Sequence, residues 1–119
     1  MTKARTLDAV RAICLGLPET SERPSHGAPT FFIRAKRSFA TVWDNHHGDG
    51  RFALVCAAPD GVQAALVEAD AERFYVPPYF GHRGWIGVHL DRDEIAGILE
   101  DAYAEIAPPK LVEAASVKK

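Results

Sequence analysis

Residues 28–57, APTFFIRAKRSFATVWDNHHGDGRFALVCA, decide the fold of this chain. They hold three strand-like runs rich in apolar and β-branched side chains, separated by a polar turn at 34–37 and a glycine-punctuated loop at 45–50. In the second run Phe39, Thr41 and Trp43 are predicted on one face, with Ala40 and Val42 on the other. Three strands joined by short turns predict an antiparallel meander.

Helical patterns lie on both sides of this meander. Apolar residues spaced by three and four predict an amphipathic helix over 7–17 and a short helix over 62–69. The last helix has the clearest apolar face, formed by Ile95, Ile98, Leu99, Ala102, Tyr103 and Ile106. Asp91 and Glu94 have the spacing of a capping box at its start, and Pro108 with Pro109 ends it.

Two further strands, over 73–76 and 85–90, complete the order α-β-β-β-α-β-β-α. The proline-containing stretch 19–26 can add a short edge strand, because proline is tolerated at sheet edges. We therefore predict an α+β fold, a two-layer sandwich of an antiparallel sheet of about five to six strands with helices on one face. At 119 residues one domain is expected, over residues 4–110, with a flexible tail at 111–119.

Composition and motifs limit the function classes. The formal net charge is −2, whereas a nucleic-acid-binding domain usually carries a basic excess. No apolar run approaches the roughly 20 residues of a membrane span, so no membrane partner is expected. Cys14 and Cys56 sit among apolar neighbours and are predicted to be buried free thiols, which favours the cytoplasm. The nucleotide, zinc and hydrolase motifs are lacking, which predicts no cofactor and favours a non-enzymatic protein without a catalytic residue.

The most distinctive segment is residues 74–90, FYVPPYFGHRGWIGVHL. As a recognition surface it would present aromatic faces for stacking, with His82 and Arg83 able to hold a phosphate or carboxylate. As a connection between strands it would use its prolines to set direction, its glycines to supply positive φ, and Tyr79 and Trp85 to seal the sheet. Alternation places Trp85 away from the Ile86 face. The residues leave both interpretations open, and a functional role for the segment depends on its presenting itself outward.

Two loops offer alternative sites. Arg34, Lys36 and Arg37 would form a basic hairpin tip that contacts phosphates, or a solvated turn that protects a sheet edge. The loop containing Asp44, His46, His47 and Asp49 carries side chains that ligate metals, but neighbouring histidines on one short loop rarely converge without a third rigid ligand. We interpret it as a hairpin turn and predict no metal site.

Four pieces of the chain together resemble the MmcQ/YjbR family of small bacterial proteins: LPET at 17–20, HGAP at 26–29, KRSFA at 36–40 and PPYFGHRGWI at 77–86. The last piece is the specific one. The resemblance implies a fold like that of type III secretion chaperones and a DNA-binding label, but no catalytic residue to carry over. Ala35 stands where the family often has glycine, and alanine favours a turn that is not left-handed.

These observations lead to three functional hypotheses. The first is weak nucleic-acid binding, with phosphates on the basic residues, stacking on the aromatics and His82 assisting; its residues are Arg34, Lys36, Arg37, Tyr79, His82, Arg83 and Trp85. The second is a protein- or peptide-binding adaptor. The third is a small-molecule site at the Gly-His-Arg-Gly turn. The sequence does not fix the oligomeric state, and we favour a monomer.

Overall fold

The computed structural model describes residues 2–90 and 95–117. Its helices are α1 (Lys3–Leu15), α2 (Val62–Ala69), α3 (Ala96–Ile106) and α4 (Pro109–Val117). Its strands are β1 (Thr20–Ser25), β2 (Ala28–Ile33), β3 (Arg37–Asp44), β4 (Phe52–Cys56), β5 (Phe74–Tyr75) and β6 (Ile86–His89). Two 3-10 turns lie at His46–Gly48 and Gly81–Arg83. The predicted capping box of Asp91 and Glu94 lies outside the described residues.

All six strands form one antiparallel sheet in the order β1-β2-β3-β4-β6-β5. The meander β2-β3-β4 lies at its centre, as the sequence predicts. The stretch that contains Pro24 forms the edge strand β1, where a missing backbone donor costs least. The predicted α+β class with a helix-packed sheet is confirmed.

Helices α1 and α3 cover one face of the sheet. Val10 and Cys14 of α1 and Leu99 and Tyr103 of α3 are buried in the same core as the apolar residues of β2, β3, β4 and β6. The Tyr103 hydroxyl donates a hydrogen bond to the Pro18 carbonyl at 2.8 Å, which ties α3 to the end of the first helical segment. The opposite face of the sheet carries the cavity described below.

A register shift reverses the predicted orientation of one strand residue. Phe31 pairs with Ala40 whereas Phe32 pairs with Ser38, so Phe39 has no partner of its own and forms a bulge. Phe39 therefore turns to the helical face, where its ring meets the Tyr103 ring edge-on at 5.6 Å. The prediction that Phe39 shares a face with Thr41 is wrong, because strict alternation ignores bulges.

The β2–β3 turn corrects a second expectation. Arg34 and Ala35 both have left-handed backbone, with φ of 53° and 56°, and the Lys36 amide donates to the Ile33 carbonyl at 3.1 Å. Two successive left-handed residues are the geometry of the tight hairpin turn that matches strand twist. The turn thus keeps the left-handed form without glycine, because the register of β2 against β3 imposes it.

The C-terminal segment forms a helix. Where a flexible tail is predicted from residue 111, the structure has helix α4, whose Leu111 is buried in the core.

Cys14 and Cys56 are buried free thiols, as predicted. Burial is the main cause that raises the pKa of Cys56 to about 12, and it also raises the pKa of Cys14. Across residues 2–90 and 95–117, no helix combines the length and the apolar character that a membrane span requires.

Candidate ligand-binding cavity

A cavity of about 400 Å³ opens on the sheet face opposite α1 and α3. Thr41 and Trp43 point into it because they alternate along β3 with Ala40 and Val42, which belong to the helical core. Strand and turn residues form one side, and residues 79, 80 and 85 form the other. The described residues that line it are Ser25, His26, Thr30, Ser38, Thr41, Trp43, His46, His47, Tyr79, Phe80 and Trp85.

The segment 77–85, here called the aromatic arm, closes the second side of the cavity. Phe80 stacks on Trp85 with ring centroids 4.7 Å apart and planes 22° apart, and it lies 5.9 Å from the Trp43 ring. Trp85 is only 3% exposed, whereas Tyr79 is 65% exposed. The arm is therefore both packing and surface: its Trp85 end is buried and its Tyr79 end projects into solvent.

Helix α2 holds the arm in place through one side chain. The Gln63 amide nitrogen donates to the Gly81 carbonyl at 2.8 Å and to the Trp85 carbonyl at 2.6 Å. These two bonds straddle the second 3-10 turn. The Gly81 carbonyl also accepts from the Gly84 amide at 3.0 Å, so the Gln63 bond adds a second donor to it.

The backbone of the arm is strained at its most exposed aromatic residue. Tyr79 has φ of 69°, a left-handed conformation that costs a non-glycine residue about 1–3 kcal/mol. The amides that follow are fixed by short turns, since Phe80 donates to the Pro78 carbonyl and Gly81 to the Pro77 carbonyl. Tyr79 is an exposed aromatic side chain on a strained backbone beside a cavity. Core packing would not require strain at an exposed position, so this arrangement points to a role at the surface.

Imidazoles and Tyr79 form the mouth of the cavity. His46 stacks on Trp43 with centroids 4.0 Å apart and planes 11° apart, and His47 lies 4.1 Å from His46. The Tyr79 ring meets His47 edge-on at 5.7 Å. Desolvation by burial is the largest cause that lowers the pKa of His46, and the neighbouring His47 is the next. Asp49 acts in the opposite direction, and His26 adds a still smaller lowering. The neutral form of His46 is thereby favoured against the Trp43 ring.

A pair of threonines forms the floor. Thr30 and Thr41 are each 5% exposed, and their hydroxyl oxygens lie 2.9 Å apart across β2 and β3. The Thr41 hydroxyl lies 3.0 Å from the Pro29 carbonyl, and the Thr30 hydroxyl lies 3.0 Å from the Ala28 carbonyl. Hydroxyls in an otherwise apolar sheet centre give the cavity a small polar spot among aromatic walls.

Within residues 2–90 and 95–117, the lining contains no aspartate, glutamate, lysine or arginine side chain. An ion entering such a site would lose its hydration without gaining an opposite charge, which is costly. An uncharged planar group would meet aromatic faces and a few hydroxyls. Clefts that are mainly apolar with a few placed polar groups are the usual form of small-molecule sites.

The structure divides the predicted site residues into two groups. Tyr79 and Trp85 line the cavity. His82 and Arg83 are exposed on the second 3-10 turn, outside the lining. The Arg83 guanidinium lies 5.2 Å from the Trp85 ring and 5.5 Å from the Phe80 ring, so it caps this stack from the solvent side.

The basic turn lies at one end of the cavity. Arg34 forms an exposed ion pair with Glu19 at 3.1 Å. Lys36 and Arg37 are exposed, and neither forms an ion pair with a carboxylate of residues 2–90 or 95–117. They directly precede Ser38, which lines the cavity. Tyr79 and the imidazoles lie toward the other end, where β3 finishes.

Sequence reasoning did not select Thr30, Thr41 or Trp43 as site residues, and it considered His46 and His47 only as metal ligands. The described residues contain no group of three or more histidine, cysteine, aspartate or glutamate side chains placed to hold a metal ion. One signal was present: Thr41 and Trp43 interrupt an apolar strand on one face. That face lies against an arm 34 residues or more away in sequence, and no local pattern reports such a contact.

A family model described as YjbR matches residues 15–105, which confirms the family predicted from the arm motif. Among solved structures, the chain is similar to the crystal structure of the Deinococcus radiodurans protein DR2400, described as having the family-model domain DUF419. The two share 18% sequence identity with a TM-score of 0.73, over 98% of this chain and 89% of that chain. This likeness shows a common fold. A comparison with curated proteins found no match.

Proposed function

The chain belongs to the YjbR family, and from that premise we propose that it is a small binding module whose cavity takes an uncharged, planar aromatic ligand. The observation that carries the proposal is the lining itself. Trp43, Phe80, Trp85 and the His46 ring surround a space of about 400 Å³, and no carboxylate, lysine or arginine of the described part of the chain lines it. That volume lies in the range of about 300–1,000 Å³ usual for small-molecule pockets.

The energetic argument rests on stacking and on a prepared site. Aromatic pairs contribute about 0.5–1.5 kcal/mol beyond their burial, and a stacked base contributes about 1–3 kcal/mol. Phe80, Trp43 and Trp85 already pack against one another, so a ligand need not order them on binding. Tyr79 supplies a further ring at the mouth.

The experiment uses the two tryptophans, since these are the only ones in the sequence and both line the cavity. Proton–nitrogen correlation spectra of the labelled protein are recorded while benzamide or cyclohexanecarboxamide is added. The two probes carry the same amide, but only benzamide is aromatic and planar. We expect benzamide to shift both indole signals and to bind more tightly. Equal binding of both probes, or no shift with either, would refute a planar-ligand site.

Tyr79→Gly provides a matched variant. Glycine accepts the left-handed backbone at no steric cost, so the unfolding midpoint should not fall, while the lost ring should weaken benzamide binding. Leu15→Ala is the control, because Leu15 is an exposed side chain that does not line the cavity. Unchanged affinity in Tyr79→Gly would remove Tyr79 from the site.

Nucleic-acid binding is the second candidate, and one placement favours it. Lys36 and Arg37 are exposed immediately before the cavity residue Ser38, so a single strand could place one base in the cavity and its phosphates on these cations. Two such contacts would give a salt slope of only about 1.4 on a single strand. The net charge of −2 and the ion pair of Arg34 with Glu19 weigh against stronger binding.

Fluorescence anisotropy of a labelled oligothymidylate at low salt tests this candidate. We expect Lys36→Ala to weaken binding and to lower the salt slope by about 0.7. Lys110→Ala serves as the control, because Lys110 is exposed at α4 and does not line the cavity. Absence of binding at low salt would exclude the candidate.

The adaptor hypothesis has less support. Among the described residues, the exposed large hydrophobic side chains are Leu15, Val76 and Tyr79, and a docking surface needs several hundred Å² of contiguous apolar area. A secretion-chaperone-like role and a monomeric state stay predictions. We also propose the cytoplasm as the compartment, because two buried free thiols suit reducing conditions.

A further inference from the structure

The threonine pair at the cavity floor has more close contacts than it has protons. Three oxygen–oxygen contacts of 2.9–3.0 Å involve the Thr30 and Thr41 hydroxyls: one between them, one from Thr41 to the Pro29 carbonyl, and one from Thr30 to the Ala28 carbonyl. Each hydroxyl carries one proton and two lone pairs, and a carbonyl carries none. Two protons therefore serve three contacts.

Every assignment of these two protons keeps them inside the sheet. If Thr30 donates to Thr41, then Thr41 donates to Pro29; if Thr41 donates to Thr30, then Thr30 donates to Ala28. If neither donates to the other, Thr30 donates to Ala28 and Thr41 donates to Pro29. In none of these three arrangements does a proton point to the cavity. What the pair offers to a ligand is lone pairs on oxygen. A ligand that brings its own acceptor would face them without a hydrogen bond, and a buried unpaired polar group is costly.

We propose that the cavity selects, among planar uncharged aromatics, those that carry an N–H donor on their edge, and that Thr30 and Thr41 are the selecting residues. This inference rests on the proposed function and names the class of ligand: aromatic amides, aromatic amines and nucleobase-like rings with an exocyclic amino group. Aromatic esters and ketones of the same shape are disfavoured.

The other polar groups of the lining do not impose the same choice. Ser25 and Ser38 are half-buried, and no hydrogen bond to another of the described residues fixes their hydroxyl protons, so these can turn toward a donor or an acceptor. The imidazoles lie at the mouth, where water reaches them. The threonine floor is the deepest polar spot and has its protons committed. It therefore decides which edge of a bound ligand faces the floor of the cavity.

The test compares benzamide with methyl benzoate, which has the same planar aromatic carbonyl but no N–H group. Affinities come from titrations followed by the indole signals of Trp43 and Trp85. We expect benzamide to bind about tenfold more tightly, which corresponds to about 1.4 kcal/mol and is the scale of one buried hydrogen bond. The preference should collapse toward equality in Thr30→Val/Thr41→Val and persist in Thr30→Ser/Thr41→Ser.

The outcomes separate the two proposals. Equal affinity for benzamide and methyl benzoate, with both above cyclohexanecarboxamide, would overturn the donor selection and leave the planar-ligand site intact. Equal binding of all three probes, or none, would overturn both. A preference that survives in the double valine variant would remove the threonines as its cause. If that variant does not fold, each single valine variant must lower the preference for benzamide over methyl benzoate. The comparison of the two probes on the wild-type protein still decides whether the cavity selects a donor.

Discussion

Replacing Gln63 by methionine tests how the arm is held. Methionine has a similar length and flexibility, so packing around α2 is largely kept, but both hydrogen bonds from the Gln63 amide are lost. Each such bond contributes about 0.5–1.5 kcal/mol net, and the Trp85 carbonyl lies at a buried residue. The two together predict a loss of about 1–3 kcal/mol in the free energy of unfolding.

Urea denaturation followed by tryptophan emission measures this loss, because Trp85 belongs to the arm and Trp43 lies against its Phe80 ring. Glu68→Gln is the control, since Glu68 is exposed on the same helix. The indole signal of Trp85 should also move more than that of Trp43 in the Gln63→Met protein. A change in stability below about 0.5 kcal/mol, the ordinary range for surface substitutions, would refute the view that Gln63 anchors the arm.

Three further predictions concern the framework around the cavity. Ala35→Gly should raise the unfolding free energy by about 1 kcal/mol, since it relieves a left-handed alanine; an unchanged urea midpoint would contradict this. Gly87→Ala should lower it by about 2–3 kcal/mol, because an added Cβ would overlap the Tyr75 ring, and a loss under 0.5 kcal/mol would show that the ring moves freely. Burial raises the pKa of Cys56 from about 9 to about 12, so the folded state holds its proton where the unfolded state releases it. Stability should therefore be full below pH 9 and fall by up to about 1.4 kcal/mol per pH unit between pH 9 and 12, with a shallower slope in Cys56→Ala.

Local patterns were sufficient for most of the fold. The meander, the helices and the free thiols follow from periodicity and composition, because alternation and helical spacing depend on near neighbours in sequence. Phe39 was misplaced because a bulge adds one residue to a strand without a mark in the residue pattern. The sequence predicts a tail over residues 111–119 because Pro108 and Pro109 end α3, yet proline is also favoured at the first position of a helix, where Pro109 begins α4.

The site was only half visible in the sequence. The arm was selected because its prolines, glycines and aromatics are unusual together, and two of its predicted residues, Tyr79 and Trp85, line the cavity. Its partners on β2 and β3 were not selected, because a threonine in a strand is ordinary until a distant segment packs beside it. The burial of Trp85 likewise depends on the Phe80 ring and on the anchoring of the arm by α2.

Intermolecular nuclear Overhauser effects from bound benzamide test the cavity most directly as a ligand site. At saturating probe, we expect contacts from the benzamide ring protons to the Trp43 and Trp85 indoles and from the amide end to the Thr41 methyl group. Contacts instead to Leu17 and Val112, in the separate groove beside α3 and α4, would contradict a ligand site between the sheet and the arm.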